Sequence, residues 1–100
     1  MKIFEIETQK IILGEAIAAL ENYIPDNSID LIVADPPYNI GKKFNGKREK
    51  WQSEEDYLNW CYRWLSLCVN KLTKTGSIYI MAATQFMPYI DLYLLSLIHI

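Results

Sequence analysis

The chain has 100 residues, 51% hydrophobic and 22% charged, a balance that suits a folded globular chain and excludes a disordered one. At this length it makes one small domain at most and leaves a large share of its surface uncovered, which points to a piece of a larger fold. The formal net charge of −2 excludes a uniformly basic nucleic-acid binder, yet residues 1–40 hold two lysines against seven acidic residues, whereas 41–74 hold eight Lys/Arg against four Asp/Glu.

Taken in chain order, Met1 to Glu7 is interrupted by charges and lacks the apolar stretch of a secretory signal. Lys10–Leu13 is a short β-branched run closed by Gly14, and it reads as a strand. Glu15–Tyr23 sets Ile17, Leu20 and Ile24 at helical spacing, and Pro25-Asp26-Asn27-Ser28 stops that helix. Ile29–Ala34 is almost wholly apolar and reads as a central parallel strand covered on both faces. A polar loop follows from Asp35 through Gly41 and Gly46 to Trp51, and it carries Lys42, Lys43, Lys47, Arg48 and Lys50. Ser53-Glu54-Glu55-Asp56 resembles a capping box. The helix it opens repeats Tyr57, Leu58, Cys61, Leu65, Cys68, Val69 and Leu72 at intervals of three and four, with Lys71 and Lys74 near its end and Thr75-Gly76 closing it. Ser77–Ala82 is a further strand. From Gln85 another helix begins, with Pro88 acceptable only in its first turn.

The apolar run Phe86–Ile100 is broken by Pro88 and Asp91 and is too short for a membrane span, so it reads as buried. Cys61 and Cys68 are separated by about 10 Å of helical rise, too far for a disulfide. They also lack zinc-ligand spacing, so no metal is expected, and two reduced thiols suit a cytoplasmic protein. Tyr57, Trp60 and Trp64 read as core or interface, and His99 receives no role.

The alternation of strand and helix is that of an α/β fold, with a mostly parallel sheet between helices. In such sheets ligands bind beyond the carboxyl ends of the strands, where Asp35 stands. Asp35-Pro36-Pro37-Tyr38-Asn39-Ile40-Gly41, preceded by Ile24-Pro-Asp-Asn-Ser-Ile-Asp-Leu-Ile-Val-Ala34, resembles the catalytic segment of bacterial DNA adenine-specific methyltransferases of the N4/N6 family in their β arrangement. Trp51, Gly76-Ser-Ile-Tyr-Ile-Met81 and Met87-Pro-Tyr-Ile-Asp91 extend the likeness over most of the chain.

The resemblance implies that residues 1–100 are the N-terminal part of a methyltransferase catalytic domain, with a catalytic loop at 35–41 and a basic loop at 42–50. Its sheet would be part of a doubly wound, Rossmann-like domain, incomplete here. Asp35 and the Pro36 carbonyl would each accept one N–H of an exocyclic amine, localising a nitrogen lone pair otherwise spread into the base. Pro36 and Pro37 preorganise these acceptors because their φ angles are fixed, and Tyr38 would stack on a base flipped out of double-stranded DNA. S-adenosylmethionine would be the methyl donor, near Ala34, Asp35 and Glu15, the last standing where the family usually has Asp. Asn39, Lys42, Lys43, Lys47 and Arg48 would contact DNA, with salt-sensitive affinity. The family's principal cofactor loop and target-recognition region do not occur in these 100 residues. Two alternatives stay open: methylation of cytosine N4, which the same geometry permits although Asp rather than Ser at position 35 favours adenine, and a noncatalytic nucleic-acid-binding fragment.

Overall fold

The computed structural model describes residues 1–39, 43–44, 47–48 and 51–98, with side chains described for 1–39 and 51–97. The N-terminus forms a hairpin. Strand β1 (Lys2–Ile6) pairs antiparallel with β2 (Gln9–Leu13), in register from Lys2↔Leu13 to Ile6↔Gln9. The first of these strands is not apparent in the sequence, because the connection at Glu7-Thr8 lacks the Asn-Gly or Asp-Gly pair that marks a tight hairpin. Glu7 nonetheless takes a left-handed φ of 55°. Helix α1 (Ala16–Tyr23) follows, and Glu15 is its N-cap. Ile17 is buried and Leu20 packs beside it.

Strand β3 (Ile29–Ala34) pairs in parallel with β6 (Leu72–Ile80), giving a mixed α/β arrangement around a short parallel sheet. The register is Leu31↔Ser77 through Ala34↔Ile80, with a shift between Ile29 and Leu31. Gly76 sits at this irregularity. A Cβ there would lie 2.9 Å from Leu72 Cδ2, 3.0 Å from the Ile29 carbonyl oxygen and 3.2 Å from that of Thr73, so the close backbone approach favours glycine. Strand alternation separates two faces. Ile32, Ala34, Ile78 and Ile80 pack on the core, while Leu31, Val33 and Tyr79 are exposed. The expectation that β3 is covered on both faces is therefore corrected. All three helices contribute to one core on a single side, and among the described residues nothing covers the other.

In the segment after β3, Lys43–Phe44 (β4) and Lys47–Arg48 (β5) form a small antiparallel ladder. The expectation of a plain polar loop is therefore corrected at these four residues. Helix α2 (Glu54–Lys71) starts as its sequence suggests. The Ser53 side chain accepts the Asp56 amide at 3.1 Å, and three acidic residues occupy the first turn. Its end is earlier than expected: Lys74, Thr75 and Gly76 belong to β6. The cause is tertiary. The amides of Asn27 and Ser28 donate to the carbonyls of Asn70 and Lys71, and the buried Lys71 ammonium meets Asp26 at 2.8 Å. Helix α3 (Met87–Ile98) carries Pro88 in its first turn, where the missing N–H is harmless. It meets α2 through stacked Tyr62 and Tyr93, with ring centroids 4.4 Å apart, and a Ser66–Tyr93 hydroxyl bond. Ile90 is buried, but Tyr89, Leu92 and Leu95 are exposed, so the C-terminal apolar run is only half covered. Among the described residues no helix is long and apolar enough to cross a membrane.

Candidate active site

The last residue of β3 is tied into the sheet, since the Ala34 carbonyl accepts the Met81 amide at 3.0 Å. The chain then leaves the ladder at Asp35, whose side chain is exposed at the carboxyl end of the strand. Pro36 and Pro37 bring no amide donors and fix two φ angles, so the loop cannot fold back into helix or sheet. The Tyr38 hydroxyl donates to Asp35 Oδ1 at 2.6 Å. That bond to a carboxylate, with desolvation adding to it, raises the phenol above its ordinary pKa. Asn39 ends the described part of the loop in the left-handed region, with φ 58°, a conformation that Asn tolerates better than most residues.

A second anchor comes from α2. Tyr57 is fully buried, and its hydroxyl donates to the Pro37 carbonyl at 2.6 Å, across twenty positions of sequence. Its ring stands edge-on to Trp51 with centroids 4.8 Å apart and lies 4.7 Å from Phe86. Trp51 also lies 5.1 Å from Trp60, so it packs into this aromatic group. The Pro36 carbonyl accepts no hydrogen bond among the described residues.

Beside the loop is a cleft of about 490 Å³, walled by Gly14, Ala34, Asp35, Pro36, Pro37 and Trp64 among others. It brings the segment around Glu15 together with the Asp-Pro-Pro-Tyr loop. Glu15 itself faces α1: its carboxylate accepts the amides of Ile17 at 2.7 Å and Ala18 at 3.0 Å, while Gly14 and Ala16 on either side line the cleft. Cys68 lies in the same wall, and burial pushes its thiol up to about 11, leaving it protonated and unreactive. Among the described residues no cluster of His, Cys, Asp or Glu could hold a metal ion. Lys42 lies outside the described residues, as do the side chains of Lys43, Lys47 and Arg48, whose backbones form β4 and β5. Tyr57 has no distinguishing signal in the sequence, where it is one more apolar position on a helical stripe.

Asp-Pro-Pro-Tyr thus stands at the carboxyl end of the first strand of a parallel β-α-β unit. Residues 29–98 match the N6/N4-methyltransferase model of DNA methylases, and the chain belongs to that family. It is 48% identical over 89 residues to the DNA adenine methyltransferase YhdJ of Escherichia coli strain K12, covering 89% of this chain and 30% of that protein. The type II methyltransferase M.HpaI of Haemophilus parainfluenzae is 40% identical over 82% of this chain and 26% of its own length. For M.BamHI of Bacillus amyloliquefaciens the identity is 30%, over 91% of this chain and 21% of that protein. The chain thus spans less than a third of the length of these relatives.

Proposed function

We propose that this chain supplies the base-binding and catalytic loop of a DNA adenine-N6 methyltransferase, in a sheet that is doubly wound and Rossmann-like in the whole protein. The observation that carries the reading is the Asp35-Pro36-Pro37-Tyr38 loop at the carboxyl end of β3, where the exposed Asp35 carboxylate adjoins a Pro36 carbonyl without a partner among the described residues. Both are acceptors, and an exocyclic NH₂ offers two donors. Accepting both N–H hydrogens draws the lone pair out of conjugation with the ring and aims it at the methyl donor. Tyr38 exchanges its bond to Asp35 for stacking on the flipped base. Asn39, Lys42, Lys43, Lys47 and Arg48 hold the backbone of double-stranded DNA, so affinity falls as salt rises.

S-adenosylmethionine, when bound, supplies an electrophilic methyl group on a cationic sulfur. The cleft walls fit the reacting end of that molecule, being apolar around a single carboxylate, with Ala34 and Asp35 nearest the loop. Glu15 serves the opposite wall by capping α1 and so setting Gly14 and Ala16. Residues to hold the donor's amino-acid and ribose groups are not among those lining the cleft. The protein works in the cytoplasm beside its DNA, where Cys61 and Cys68 stay reduced.

The test is methyl transfer from labelled S-adenosylmethionine to duplex DNA by the intact protein that carries this chain, with the modified nucleoside identified by mass spectrometry. N6-methyladenine is expected, and Asp35→Ala abolishes its formation while leaving DNA binding within a few fold. N4-methylcytosine as the product would overturn the adenine assignment, and undiminished turnover by Asp35→Ala would overturn the mechanism.

A further inference from the structure

We infer that Tyr57 is a positioning residue for the catalytic loop, acting through the Pro37 carbonyl; this rests on the function proposed above. Two prolines fix two φ angles of the loop, but the ψ angle of Pro37 stays free to turn the peptide that carries Tyr38. The Tyr57 hydroxyl, 2.6 Å from the Pro37 carbonyl oxygen, removes that freedom. It is a stiff donor. The ring is fully buried, with Trp51 edge-on at 4.8 Å, Phe86 at 4.7 Å and Trp60 at 6.1 Å.

These partners join the right pieces of the fold. Pro37 lies three residues beyond the end of β3, and Phe86 immediately precedes α3. Tyr57 sits in the first turn of α2, whose start Ser53 fixes. The bond therefore references the loop to a capped helix and, through the contact of the Tyr57 ring with Phe86, to the start of α3. It also engages the Pro37 carbonyl and leaves the neighbouring Pro36 carbonyl for substrate, so the two consecutive acceptors have separate partners. Displacement of reacting groups by about 1 Å can cost around a hundredfold in rate. A donor that sets the orientation of one peptide in this loop thus acts on the chemical step more than on binding.

Tyr57→Phe keeps the ring and removes the hydroxyl. In the intact protein the single-turnover rate of methyl transfer is expected to fall by about tenfold or more, with the dissociation constants for DNA and S-adenosylmethionine changed less than twofold. Tyr93→Phe is the matched control, since it removes a hydroxyl bond to Ser66 on the same helix, away from the loop. It is expected to lower the melting temperature as much as Tyr57→Phe does and leave the rate unchanged. The amide shift of Tyr38 in NMR spectra should move in Tyr57→Phe alone. An active wild type with an unimpaired Tyr57→Phe variant overturns this inference and spares the proposed function. Equal rate losses in the two variants reduce Tyr57 to a structural role and also overturn it. A wild type that transfers no methyl group to DNA overturns both.

Discussion

At the residue scale, Tyr38 is bound to be asked for two things. Its hydroxyl engages Asp35 Oδ1 without substrate, and its ring is the proposed platform for the base. The two roles separate by substitution. Tyr38→Phe keeps the aromatic face and releases the carboxylate, so base flipping is expected to persist. Tyr38→Ala removes the face and is expected to cost about 1–3 kcal/mol of stacking. Fluorescence of 2-aminopurine at the target position reads this directly, and equal flipping by the alanine variant would remove Tyr38 from base binding. The proposed roles of Asp35 and Tyr38 are legible in sequence because they depend on residue type and immediate neighbours. Tyr57 is not, because its role depends on a carbonyl twenty positions away.

At the scale of elements, boundaries follow two kinds of cause. The start of α2 is local: Ser53 and the acidic first turn specify it, and the sequence shows it. Its end is set by the turn before β3, which caps the last carbonyls with the Asn27 and Ser28 amides and pairs Asp26 with Lys71. No pattern within the helix itself carries that information. Gly76 belongs to the same junction, and it looks like a helix terminator in sequence but works as a strand residue under the Ile29 carbonyl. Gly76→Ala is accordingly expected to destabilise the fold by about 1–3 kcal/mol, as overpacking does. Urea unfolding at equilibrium measures this, and an unchanged midpoint with an unchanged slope would contradict the close approach.

On the scale of the whole molecule, the apolar surface is unevenly covered. Leu31, Val33 and Tyr79 line the open face of the sheet, and Ile3, Phe4, Ile6, Ile11 and Leu13 are exposed on the β1–β2 hairpin. Surface of this kind ordinarily lies against further protein. The chain spans 30% or less of the length of the relatives it resembles. The 100-residue polypeptide expressed alone is therefore expected to self-associate with rising concentration and to bind a hydrophobic dye. Sedimentation velocity tests this, and a dye-silent monomer at high concentration would show that the open face needs no cover.

The sequence by itself determined the α/β alternation, the capped helix and the Asp-Pro-Pro-Tyr tetrapeptide at a strand end, because periodicity, capping and proline stereochemistry act over a few neighbouring residues. Only the tertiary structure decided which face of β3 is covered, where α2 stops, and that Tyr57 holds Pro37. These depend on groups distant along the chain meeting in space, which no local pattern encodes.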